Sequence, residues 1–104
     1  MYLYQAKILN WVDGDTVDCE VDLGFHTFIK TRFRLLGINT PERYTDLGKT
    51  VKQYVEQTFP VGTTVSLKSS RTGKFGRWLG ELFINNQSIN QHLLDKGYAD
   101  IYSG

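Results

Sequence analysis

Asp13-Gly14-Asp15-Thr16-Val17-Asp18-Cys19-Glu20-Val21-Asp22 reads as a tight turn running into a strand. Asp-Gly-Asp supplies the turn, since aspartate and glycine tolerate the backbone angles a reversal needs. After it, Val17, Cys19 and Val21 alternate with Asp18, Glu20 and Asp22. A period of two puts the first set on a buried face and makes the second a carboxylate ladder facing out. Residues 2 to 9, rich in β-formers, precede the turn and complete a hairpin. Residues 25 to 36 follow Leu23-Gly24 and interleave Lys30, Arg32 and Arg34 with Phe, Ile and Thr. They suit a third strand whose cations pair across the ladder, ending at Gly37 and Pro41.

From Thr45 to Phe59 the period changes. Leu47, Val51, Tyr54, Val55 and Phe59 fall on one side of an amphipathic helix that Pro60 stops, with Gly48 weakening its first turns. Residues 63 to 68 read as a fourth strand, a polar loop runs from Ser69 to Gly76, and a fifth strand spans about Trp78 to Ile84. Asn85-Asn86 turns the chain into a short helix that starts at Ser88, with Gln91 at capping-box spacing, and ends at Gly97. Five strands and two helices in this order predict a mainly β (α+β) fold: a five-stranded antiparallel barrel of the oligonucleotide-binding type.

The 104 residues, 40% of them hydrophobic, suffice for one small domain over residues 1–104 and exclude a two-domain enzyme. Twelve Lys+Arg against 11 Asp+Glu leave a net charge of +1, so a uniformly basic histone-like binder is excluded and any nucleic-acid affinity comes from a local patch. Cys19 is the single cysteine and no Cys/His cluster has zinc spacing, so the core must hold the fold without disulfide or zinc. The N-terminal residues lack the pattern of a leader and no apolar run reaches membrane-spanning length. The expectation is a cytoplasmic monomer with no membrane contact, a secreted form that has shed its leader being the alternative.

Four segments carry chemistry: Asp13-Gly14-Asp15-Thr16-Val17, Arg34-Leu35-Leu36-Gly37-Ile38-Asn39-Thr40-Pro41-Glu42, Arg71-Thr72-Gly73-Lys74-Phe75-Gly76-Arg77, and Asn90 to Gly97. Together they supply what metal-assisted phosphodiester hydrolysis needs: anionic oxygens for a hard cation, a carboxylate for the water and guanidinium groups for the phosphate. In order and spacing, from about Lys7 to Gly97, they resemble the staphylococcal nuclease (thermonuclease) family.

That resemblance implies roles. Asp15, the residue at Asn39 and the Thr40 carbonyl would ligate Ca²⁺. Glu42 would orient or deprotonate the attacking water. Arg34 and Arg77 would clamp the phosphate and stabilise the charge developing on it. Lys74 and Phe75, in the polar loop with Arg71, stand where the family places a lysine and a tyrosine near a terminal phosphate, so Phe75 lacks the hydroxyl. The products would carry 3′-phosphate ends, with little sequence specificity, and the partners would be DNA, RNA or both, single-stranded or locally unpaired.

Two departures stand out. Familiar members of the family carry aspartate where this chain has Asn39, so the ligand here is neutral and divalent binding should weaken. Seven residues follow Gly97, too few for the family's third helix. Tyr98 and Tyr102 are candidates to contact bases or phosphate.

Blander readings accompany these. Asp13 is chiefly a turn residue, and Lys30 and Arg32 are surface or paired charges. His26 and His92 lack partners at metal or triad spacing, and Trp11 and Trp78 read as packing residues. Residues 68 to 77 carry Lys68, Arg71, Lys74 and Arg77 with no acid, and glycines and aromatics beside them favour a phosphate-facing loop. The rival to a Ca²⁺-dependent nuclease is a non-catalytic oligonucleotide-binding module whose metal site has decayed through Asn39. Glu42 argues against that rival, because a carboxylate beside phosphate-binding arginines repels the ligand. A barrel used only for protein contacts would leave Arg34, Glu42 and Arg77 without a purpose.

Overall fold

The computed structural model describes residues 2–70 and 78–102. The alternating segment forms the second strand. β1 (Tyr2–Asp13) turns at Gly14 into β2 (Thr16–Asp22), and β3 (Phe28–Leu35) returns beside it. A two-residue β4 (Ile38–Asn39) leads to α1 (Asp46–Thr58). β5 (Thr64–Ser70), β6 (Trp78–Ile84) and β7 (Gln87–Ser88) follow, then α2 (Ile89–Asp95) and β8 (Asp100–Ile101). The described strands form a sheet ordered β3-β2-β1-β5-β6-β7, and β3 also pairs with β6, closing a five-stranded barrel.

The closing pair corrects the expectation of an antiparallel barrel: Phe33, Arg34 and Leu35 run parallel to Trp78, Leu79 and Gly80. The reason is parity. Neighbours around an all-antiparallel ring alternate in direction, and five strands cannot alternate all the way round, so one seam must be parallel. Gly80 sits at that seam, where a Cβ would come within 2.8 Å of Leu67 Cδ1.

The core follows the predicted alternation. Val17, Cys19 and Val21 are buried with Ala6, Ile8, Trp11, Phe33, Leu35, Val65, Leu67 and Leu82 in one cluster. Asp18, Glu20 and Asp22 remain partly exposed on the opposite face. Register sets Asp18 against Arg32 and Glu20 against Lys30, whereas Asp22 meets Phe28 and Arg34 meets Thr16. Only the first of these becomes an ion pair, with Arg32 Nε 2.8 Å from Asp18 Oδ1. β3 starts later than residue 25, because Gly24, Phe25 and His26 all take positive φ in the turn before it.

Helix α1 begins where Thr45 Oγ1 accepts the Gly48 N–H at 3.0 Å and ends at Phe59, before Pro60. Its buried face is Gly48, Val51 and Val55. Leu47, expected on that face, is 69% exposed. Gly48 takes the inner position because the Glu42 carbonyl oxygen lies 1.8 Å from where its Cβ would be. At the other end, Trp11 Nε1 donates to Phe59 O at 2.9 Å, tying β1 to the helix terminus. Ser88 caps α2 as expected, accepting from Gln91 N at 3.1 Å. The Gln91 side chain turns forward to Asp95 instead of back to the cap.

Candidate active site

The site is built where the Gly14 turn, the end of β3 and the β4 arm converge. Gly14 permits the approach: a Cβ there would lie 2.5 Å from Val51 Cγ1 and 3.1 Å from Thr40 Oγ1. Asp15 follows, buried at 7% exposure. Its backbone carbonyl accepts Leu35 N at 2.8 Å, and its Oδ2 accepts Thr40 N at 2.9 Å. Thr16 Oγ1 donates to Oδ1 at 3.3 Å.

Arg34 completes this arrangement. Its Nη1 lies 3.3 Å from Asp15 Oδ2 and donates to Ile38 O at 3.0 Å, while Nη2 donates to Asn39 Oδ1 at 2.9 Å. The two side chains of the ion pair are 12% and 10% exposed. A second Nη2 hydrogen and the Nε–H remain for another acceptor, since a guanidinium carries five N–H donors in a planar fork. Tyr102 covers the group from one side, its ring centroid 5.2 Å from the guanidinium carbon. β8 places it there by pairing with β4 (Ile38 with Ile101, Asn39 with Asp100), and Tyr102 N donates to Gly37 O at 2.9 Å. Tyr98 instead packs on Tyr54 with centroids 4.4 Å apart, half-buried against the core.

Burial alone would raise the Asp15 carboxyl. The neighbouring Asp13 side chain, the Thr40 N–H and the Arg34 charge outweigh it and hold Asp15 below the usual carboxylate range. Asp13 answers in the opposite sense. Burial, reinforced by its hydrogen bond to Asp15 and by that charge, pushes it up to about 6. Asp13 also keeps the turn role, its Oδ1 accepting Asp15 N at 3.1 Å.

Asp15, Arg34, Asn39 and Thr40 are thus brought together. Glu42, two residues on, is exposed, and its backbone carbonyl accepts both Thr45 N and Thr45 Oγ1, at 3.0 and 2.7 Å. Its carboxylate makes no bond to the cluster. Arg71, Lys74, Phe75 and Arg77 lie outside the described residues. The sequence reading gave Asn90 no separate role, yet it joins the pieces. It is buried at 4% exposure, donates to Leu36 O at 2.9 Å and Gly80 O at 3.2 Å, and accepts Leu82 N at 3.3 Å. One amide side chain therefore holds the end of β3 and the parallel seam. Its signals in the sequence were that it opens the fourth of the segments carrying the resemblance and that it is polar beside the apolar Ile89.

The donors suit a hard cation in kind. All are oxygens, from a charged carboxylate, an amide and the Thr40 carbonyl, and the Thr40 hydroxyl is buried without a hydrogen-bond partner. They are few: among the described residues no three His, Cys, Asp or Glu side chains cluster. Water and substrate phosphate would have to supply much of the shell, and Arg34 already brings positive charge to Asp15 and Asn39.

Residues 32–103 match the family described as staphylococcal nuclease homologue. An uncharacterized protein of Methanocaldococcus jannaschii is 30% identical over 128 aligned positions, which cover 95% of this chain and 59% of its own length. An uncharacterized 38.1 kDa protein of Capnoides sempervirens is 32% identical over 74 positions, 71% of this chain and 22% of its own. The chain spans less than two thirds of either relative. Its match includes Arg34, Asn39, Thr40 and Glu42 and extends over most of its length, and the chain belongs to the staphylococcal nuclease homologue family.

Proposed function

We propose that this domain hydrolyses phosphodiester bonds in DNA, RNA or both. The observation that carries the reading is Arg34, fixed by Asp15, Ile38 O and Asn39 with donors to spare, eight residues before an exposed Glu42. Arg34 binds a phosphate oxygen and neutralises the charge that grows on it as the fifth oxygen approaches. Its low exposure helps, because the attraction is screened less than at an open surface. Glu42 takes the proton of the attacking water, whose oxygen forms the new bond to phosphorus. The ester oxygen on the opposite side leaves and is protonated. Asp15, Asn39 and Thr40 would hold a Ca²⁺ ion, which supplies Lewis-acid stabilisation of the phosphate when bound.

One observation favours a second reading, a binding module without catalysis. The position where the familiar family members carry a carboxylate is an amide, and its oxygen is taken by Arg34. Cleavage of labelled single-stranded DNA and RNA with Ca²⁺, Mg²⁺, Mn²⁺ or EDTA separates the two. Metal-dependent cutting that disappears in Glu42→Gln supports the nuclease. Binding without cutting, with cleavage gained in Asn39→Asp, supports the module and overturns the enzyme.

A further inference from the structure

Beside the site, and continuous with it through Asp13, Thr16 and Arg34, lies a cleft of about 620 Å³ whose lining also includes Lys30, Arg32 and Trp78. Lys30, Arg32 and Arg34 alternate along β3 and so point to one side of it. Alternate residues on a strand repeat about every 6.7 Å, on the order of the distance between successive phosphates in an extended single strand. The cations differ in engagement. Arg34 is held in the site, Arg32 is gripped by Asp18 at 2.8 and 3.2 Å, and Lys30 is exposed with Glu20 as its cross-strand neighbour. Asp13 is the one acid in the lining. Trp78 stands across the parallel seam from Phe33 and is 39% exposed, unlike Trp11 at 1%.

We propose that this cleft binds the single-stranded nucleic acid flanking the phosphate at Arg34, with Lys30 and Arg32 along its backbone and one base on the face of Trp78. The inference rests on the nuclease reading for its direction, because Arg34 is the shared end of both sites. A regular duplex fits less well: its bases are stacked on each other and cannot lie on an indole.

The test reads binding without cleavage. Fluorescein-labelled oligothymidylate is titrated with the intact protein in EDTA, following label anisotropy and tryptophan emission. Expected is quenching of tryptophan emission, which Trp11 is too buried to report. Trp78→Ala weakens binding about tenfold, whereas Trp78→Phe keeps a stacking face and binds nearly as wild type but without the quench. Lys30→Ala, at an exposed strand position, weakens binding a few-fold and lowers the slope of log K against log salt by about 0.7. Inorganic polyphosphate competes without quenching, and a duplex of equal length competes poorly. Unchanged affinity in both Lys30→Ala and Trp78→Ala, or a duplex that competes equally well, overturns the proposal. If Trp78→Ala fails to fold, Trp78→Phe and Lys30→Ala still decide it. A protein that binds this way but never cuts keeps the cleft and loses the nuclease; one that cuts while both variants bind normally loses the cleft alone.

Discussion

The Tyr102 ring lies 5.2 Å from the guanidinium carbon of Arg34, on a segment that hydrogen-bonds Gly37, three residues beyond that arginine. A cation over an aromatic face is worth about 0.5–1 kcal/mol at an exposed site, and here the contact also limits how far the fork can swing. Tyr102→Phe should retain turnover, since the face and not the hydroxyl meets Arg34. Tyr102→Ala should lower kcat about two- to fivefold with little change in KM for a short oligonucleotide. A rise in KM alone would make Tyr102 a substrate contact instead.

The Arg34–Asp15 pair is nearly dry, so removing one partner leaves a buried charge alone. Arg34→Ala should cost about 3–5 kcal/mol, read as a lower urea midpoint, besides abolishing cleavage. Arg34→Lys should restore part of the stability and little of the activity, because an ammonium cannot reach Asp15, Ile38 O and Asn39 together in the fork's geometry.

Stability should vary with pH in two opposed ways. Asp13 has its folded value raised from 3.8 to about 6, so between those values the folded protein holds more protons than the unfolded one. Its contribution therefore falls as pH rises through that window. Asp15 lies below 3.8 when folded, so its contribution is present above that value and disappears as pH drops through the folded one. Urea melts of Asp13→Asn across about pH 3 to 8 should lose the decline toward neutrality and keep the acid limb. The same decline surviving in Asp13→Asn would assign it elsewhere.

Gly48→Ala should destabilise, although alanine is the better helix former by about 1 kcal/mol. The methyl would meet the Glu42 carbonyl, which is backbone and cannot step aside alone. Thermal melts should show a lower Tm, and cleavage should fall with it because Glu42 moves. Gly48→Ala with a raised Tm would contradict the close approach.

Cys19 provides a check on the core. It is fully buried beside Asp18, and burial pushes its thiol up to about 12. A thiol reagent at pH 8 should react with it at the rate of unfolding, rising steeply only in denaturant.

Much of this was legible because local chemistry and global fold agree. The Asp18-Glu20-Asp22 alternation gave β2 and its inner face, and Thr45 and Pro60 bracketed α1. Asp15, Arg34, Asn39 and Thr40 were legible as a set from spacing and family resemblance, and the fold brings them into contact. Three features were not legible, for reasons of geometry. The parallel seam belongs to ring closure, which no single strand reveals. The exposure of Leu47 comes from a carbonyl five residues earlier in the chain occupying the helix face. Asn90 looks polar in one dimension and becomes a three-way clasp only when Leu36, Gly80 and Leu82 surround it.

The two-residue ribbon between β4 and β8 has a consequence for order in time. The arm bearing Asn39 and Thr40 is synthesised about sixty residues ahead of its pairing strand, Asp100–Ile101. On the ribosome, β1, β2 and β3 can pair while that arm is still without its neighbour. The contacts that hold Asn39 and Thr40 beside Asp15 therefore gain their last support, from residues 100 and 101, only after the first three strands have met.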